Sequence, residues 1–60
     1  MLVYTTNANV KEKLLSKGEV LVKERRVNHI TYFFFRLSNP SVVQNFSHND
    51  IVVCNNNLFL

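Results

Sequence analysis

The sequence predicts a compact α+β domain with elements in the order β-α-β-β-α-β, an abbreviated ferredoxin-like plan with an antiparallel sheet and both helices on one face. Three observations predict it. An amphipathic stretch is closed by the only glycine; two segments of period two are joined through an asparagine; and an Asn-Pro helix start precedes a short β-branched run.

Leu2-Val3-Tyr4-Thr5-Thr6 is β-branched and aromatic and reads as the first strand. Helix character follows over Asn7 to Lys17. Thr6, Asn7 and Asn9 are candidate N-caps, Asn9 stands three before Glu12 as in a capping box, and Val10, Leu14 and Leu15 fall on one helical face. Gly18 stands where a left-handed C-cap is expected. From Glu19 to Arg26 the residues alternate, Val20 and Val22 on one face and Glu19, Leu21, Lys23 and Arg25 on the other, which is the period of a half-buried strand. Val27-Asn28 is the expected turn, since asparagine tolerates positive φ. The strand from His29 to Leu37 then places Thr31, Phe33, Phe35 and Leu37 on one face and Ile30, Tyr32, Phe34 and Arg36 on the other. Asn39 can cap a helix begun by Pro40, with Val42, Val43 and Phe46 on its inner side. Ser47 to Asp50 returns the chain, and Ile51 to Cys54 reads as a last strand. Asn55-Asn56-Asn57 reads as a turn or cap, and Leu58-Phe59-Leu60 as a segment that docks on the core or marks a truncation.

Sixty residues form one domain, 1–60, with one core, and a domain this small buries only about 60% of the surface its unfolded chain exposes. Self-association or a partner would add to a marginal stability. Apolar residues at 47% and charged residues at 18% fit folding and exclude the composition of disorder. Cys54 is the only cysteine, so no internal disulfide can form, and a reducing compartment is expected. The start lacks a basic n-region, and the longest apolar run falls far short of the roughly 20 residues that span a bilayer. The expected localisation is cytoplasmic, with no membrane partner. The net charge of +3 favours an anionic partner without requiring one.

Tyr4-Thr5-Thr6-Asn7 before the first helix, Leu14-Leu15-Ser16-Lys17-Gly18 closing it, Glu24-Arg25 before the turn and Phe33-Phe34-Phe35 in the third strand together resemble a family of short uncharacterised domains from bacteria and their phages. The likeness runs through most of the chain. The family pattern continues into a further C-terminal helix and has a glycine beside the turn asparagine, where this chain has Val27. The resemblance implies a phage or mobile-element setting, in a host cytoplasm, and brings no activity.

No catalytic set is legible. A nucleophile would have to be Cys54 with His48 or His29 as base, but a cysteine in an apolar strand ordinarily behaves as a small hydrophobe. His48, Asp50 and Cys54 match no zinc spacing, a lone glycine cannot build a phosphate-cradling loop, and the four acids are dispersed. No enzyme activity, cofactor or metal is expected.

The anomaly is the third strand, which carries two aromatic stripes where a sheet covered on one face needs one. Tyr32 and Phe34, beside Leu21, would make an apolar patch with Arg25, Arg26 and Arg36 as its polar rim. The expected function is therefore a non-enzymatic protein-binding module, a small phage-type effector or inhibitor acting on a host protein, or a homodimer through the same face. The bland reading is that Leu58-Phe59-Leu60 covers the patch. The alternative partner is nucleic acid, because the same element order underlies the RNA-recognition domain, in which central-strand aromatics stack bases. Tyr32, Phe34, Lys23, Arg25, Arg26 and Arg36 supply the residue types, although the basic-Gly-aromatic-Gly signature is absent.

Overall fold

The structure, a computed structural model, describes residues 1–54. It is a small α+β domain built from β1 (Leu2–Thr5), α1 (Ala8–Ser16), β2 (Val20–Val27), β3 (Ile30–Arg36), a 3-10 helix η1 (Pro40–Asn45) and β4 (Val52–Cys54). The four strands form one sheet in the order β2-β3-β1-β4, and every neighbouring pair is antiparallel. The expectations for Asn55 to Leu60 lie outside the described residues.

Side-chain chemistry sets both ends of α1. Asn7 is the N-cap, and its Oδ1 accepts from the amides of Asn9 (2.8 Å) and Val10 (3.3 Å), which satisfies two of the donors a helix start leaves unpaired. The capping box expected from Asn9 and Glu12 does not form, because Asn9 already lies inside the helix. At the other end Gly18 takes φ +82°, the Gly18 amide donates to the Leu15 carbonyl and the Glu19 amide to the Leu14 carbonyl. This is the Schellman pattern, which needs a left-handed residue and therefore favours glycine.

The motif also aims Glu19 back at the sheet. Its carboxylate is buried and accepts from the Ser38 amide (2.9 Å) and hydroxyl (3.2 Å), clamping the exit of β3 to the entry of β2. Thr5 ties the other end. Its hydroxyl donates to the Asp50 carbonyl and accepts from the Asn7 amide at 3.1 Å, so one buried side chain joins β1, the start of α1 and the approach to β4.

The core lies between the sheet and the two helices. Val3, Phe33, Phe35, Leu37 and Ile51 meet Val10 and Leu14 of α1, and Val42, Val43 and Phe46 pack against this cluster from η1 and its end. Leu15, expected on the buried face, is 41% exposed, since so short a helix turns only Val10 and Leu14 onto the sheet. The second helix starts as its caps predict, with Asn39 Oδ1 accepting from the Ser41 amide and Pro40 in the first turn, but it is 3-10 and not α. Its bonds run three residues back, from Val42 to Asn39 and from Phe46 to Val43, and six residues with adjacent valines suit this tighter winding, which occurs in short runs.

The β2–β3 hairpin closes through Asn28 (φ 51°) and His29 (φ 69°), so His29 belongs to the turn and not to the strand. Two consecutive positive φ values define the two-residue turn whose twist matches a hairpin. Asparagine and histidine are the side chains, after glycine, that most readily adopt that conformation.

Candidate binding face

Alternation along β1 and β3 divides the sheet into two surfaces. Val3, Thr5, Phe33 and Phe35 point to the helices; Leu2, Tyr4, Tyr32, Phe34 and Arg36 point the other way, where no helix packs among the described residues. This division of β3 is the one its sequence predicts.

β2 departs from its predicted phase, and the departure redraws the site. The register pairs Leu21 with Phe35 and then Lys23 with Phe34, so a bulge absorbs the intervening Val22. Leu21, expected as an apolar anchor beside Tyr32 and Phe34, therefore lies on the helix side and packs against the core. Beyond the bulge Lys23 faces Phe34, Arg25 faces Tyr32 and Arg26 faces Thr31. Arg25 thus joins the helix-free face, as expected, and Arg26 does not: adjacent strand residues point to opposite sides, so both cannot belong to one rim. Arg36, exposed at the far end of β3, stands on the helix-free face as expected.

Phe34 is only 5% exposed despite its place on this face. It sits on a central strand with the Tyr4 ring 5.6 Å away and forms the floor of the site, not the protruding anchor its sequence position predicts. Tyr4 and Tyr32 are half-buried and touch edge to face, ring centroids 5.5 Å apart. Arg25, Val27, Tyr32 and Phe34 line a shallow recess of about 200 Å³. That is below the roughly 300–1,000 Å³ of an ordinary small-molecule pocket. Tyr4 is the residue that sequence reasoning missed, although the alternation of Val3, Tyr4 and Thr5 against a core-facing valine carries the signal.

Among the described side chains the charge on this face has one sign. Lys23, Arg25 and Arg36 stand on it, whereas all four acids lie elsewhere: Glu12 on α1, Glu19 bonded to Ser38, Glu24 in register with Phe33 on the helix side, and Asp50 in the turn before β4.

Other parts of the molecule offer less chemistry. A wider recess of about 500 Å³ beside the start of α1 is lined by Thr6, Ala8, His29, Ile30, Thr31 and Phe33, and His29 is the only titratable residue among them. Lys11 lies over the Phe33 ring at 4.8 Å, a cation–π contact that helps roof the core. Cys54 is half-buried, and loss of hydration pushes its thiol above the usual range, away from the thiolate a nucleophile needs. His48 is exposed in the turn before β4. Among the described residues no three His, Cys, Asp or Glu side chains cluster as metal ligands, and no helix is long and apolar enough to cross a membrane.

Comparison with known proteins adds no relative: no family model, no curated protein and no solved structure matches the chain.

Proposed function

We propose that the chain is a non-enzymatic binding module that works through the helix-free face of its sheet, in an abbreviated ferredoxin-like fold whose second helix is reduced to η1. The strand order β2-β3-β1-β4 and its antiparallel directions support the fold reading. One observation carries the functional reading: half-buried Tyr4 and Tyr32 stand together on the two central strands, beside Lys23, Arg25 and Arg36, on the surface that the helices leave uncovered. Antiparallel sheets commonly present such a second face to water, and a polar one suffices for solubility. Rings clustered among cations go beyond that need.

A protein partner, either a host protein or a second copy of this chain, is favoured by a separate feature. Val20, Val27, Ile30 and Val52 are each more than a third exposed and fall on the same face by register, giving the site an apolar border. The phage-type effector reading belongs here.

Capture from a host lysate tests the module itself. Wild type is compared with a folded Arg25→Ser/Tyr32→Ser variant and with Arg26→Ser, whose change lies on the opposite face. Retention that is lost in the double variant and kept in Arg26→Ser is the expected result. Retention indifferent to the double variant overturns the assignment of this face.

A further inference from the structure

We infer that two copies of this chain pair edge to edge through β2, antiparallel about a two-fold axis at Arg25, with Glu24 of each protomer opposite Arg26 of its partner. The association goes beyond the reading of the helix-free face and does not depend on it.

The backbone supplies the first argument. Among the described residues β2 pairs only with β3, and Glu24 to Val27 are exposed. The Asn28-His29 turn makes Val27 and Ile30 a hydrogen-bonded pair, and such pairs alternate with non-bonded ones along an antiparallel ladder. Arg25 therefore spends its amide and carbonyl on Tyr32, whereas Glu24 and Arg26 direct theirs outward at the edge of the sheet. An edge of this kind is a template for another strand. The six residues that follow Cys54 in this sequence span about 20 Å at full extension. A strand laid outside β2 lies four strand spacings, about 19 Å, from β4, so those residues cannot run along it.

Charge complementarity selects the occupant and the register. Opposed residues in a sheet share a side, so the axis of a self-pairing passes through a residue. Centred on Glu24, the pairing sets Glu24 against Glu24 and Lys23 against Arg25; centred on Lys23 or Arg26, it sets like charges together and opposes no acid to a base. Centred on Val27, it runs into the turn residues Asn28 and His29, which have left strand geometry. Centred on Arg25, it opposes Glu24 to Arg26 twice, both on the helix side of the sheet, against one like pair, Arg25 with its own copy, on the other side. Glu24 and Arg26 are exposed, and neither has an ion pair among the described residues. In this register both Glu24–Arg26 positions are also the hydrogen-bonded ones, so four backbone bonds and two opposite-charge pairs form together. The cations and the bulge at Val22 bar indiscriminate strand addition at the same edge, which is how natural sheets guard an exposed strand.

The test is sedimentation equilibrium at low salt over rising chain concentration. Wild type should form a dimer in a concentration-dependent way. Glu24→Arg and Arg26→Glu, each of which turns both opposite-charge pairs into like ones, should weaken the dimer about tenfold or more. Mixed in equal amounts, the two variants should associate about as well as wild type, because every 24–26 pair between them is again of opposite charge. Circular dichroism of each variant separates lost association from lost fold. Oxidative cross-linking in a Cys54→Ala background reads the register. Non-bonded antiparallel partners stand about 4.5 Å apart between Cα atoms, within disulfide range, so Arg25→Cys should link across the axis. Glu24→Cys, two residues out of register with its own copy and beyond the roughly 7 Å a disulfide spans, should link far more slowly.

A wild type that stays monomeric at every concentration overturns the inference. A dimer indifferent to both charge reversals also overturns it, because association then uses another surface. Single variants that fail to recover on mixing, or faster linking through Glu24→Cys than through Arg25→Cys, overturn the register. Lysate capture by the helix-free face can fail while this dimer forms, and the dimer can fail while capture persists, so the two readings fall separately.

Discussion

The two faces of one sheet are built from alternate residues of the same strands, yet they differ in what their burial means. On the helix side Phe35 is fully buried in a cluster with Val3, Leu14 and Ile51. One residue earlier, Phe34 is nearly as well buried on the other side, but beside it stand two tyrosines, and Lys23 is its register partner. Fractional exposure hardly separates the two phenylalanines. Their neighbours do: the first sits in the apolar cluster between sheet and helices, and the second sits beside tyrosines and a lysine on the side of the sheet away from the helices.

The largest expected effect comes from breaking the helix side. Phe35→Ala removes a ring from the centre of the core and should cost about 3–5 kcal/mol. A domain of this length has only about 3–9 kcal/mol in total at ordinary stability per residue. Loss of a cooperative urea transition is therefore the expected outcome. A variant with a near-normal transition would mean that the packing order of the two faces has been misassigned.

Next in size is the clamp that holds β2 and β3 together at the end where the hairpin is open. Glu19→Ala leaves the Ser38 amide without its acceptor and should cost about 1–3 kcal/mol. Glu19→Gln, which keeps an oxygen acceptor, should recover much of that loss in the same denaturation measurement. Equal losses in the two variants would assign the effect to charge and not to the hydrogen bond.

These two sites also mark what was legible in the sequence. The core face of β3 followed directly from period-two alternation, and the Gly18 C-cap from helix-end chemistry, because both are local rules acting on adjacent residues. Glu19 was not legible, since its partner Ser38 is nineteen residues away and only the Schellman exit brings the two together. The bulge at Val22 was not legible either. It inserts one residue into β2 and puts Leu21 out of phase with Lys23 and Arg25, which sends Leu21 to the core, whereas the split between Arg25 and Arg26 is ordinary strand alternation. Tyr4 was overlooked for a related reason. Its strand was identified, but its membership of the site depends on β1 lying next to β3, a long-range pairing that no local pattern specifies. The second helix was correctly capped at Asn39 and Pro40 but proved too short to hold α geometry.

A smaller effect is expected on the helix-free side. Tyr32→Leu removes the edge-to-face contact with Tyr4 and keeps apolar bulk, so its stability cost should stay within about 0.5–1.5 kcal/mol. The same substitution is expected to weaken lysate capture about tenfold, so the two readouts diverge at one residue. Phe35 offers no such divergence, because a variant that does not fold has no binding to measure. A stability loss at Tyr32 matching that of Phe35→Ala would erase the contrast between the faces.

The smallest effect concerns the edge of that same side, where Cys54 stands in register with Leu2. Burial raises its thiol pKa in the folded state, so the folded chain holds the proton more tightly than the unfolded chain does. The resulting stabilisation is complete below the unfolded thiol value, about 8.5, and is lost as pH rises through the higher folded value. Tyrosines and lysines titrate in the same region, so the wild-type urea midpoint must be compared with that of Cys54→Ala at each pH. The difference between the two should shrink from about pH 8 upward, and alkylation of Cys54 at pH 8 should be slower in the folded chain than in urea. A difference that stays constant with pH, together with equal alkylation rates, would mean that β4 leaves this edge wet and that the dry part of the face ends at Leu2.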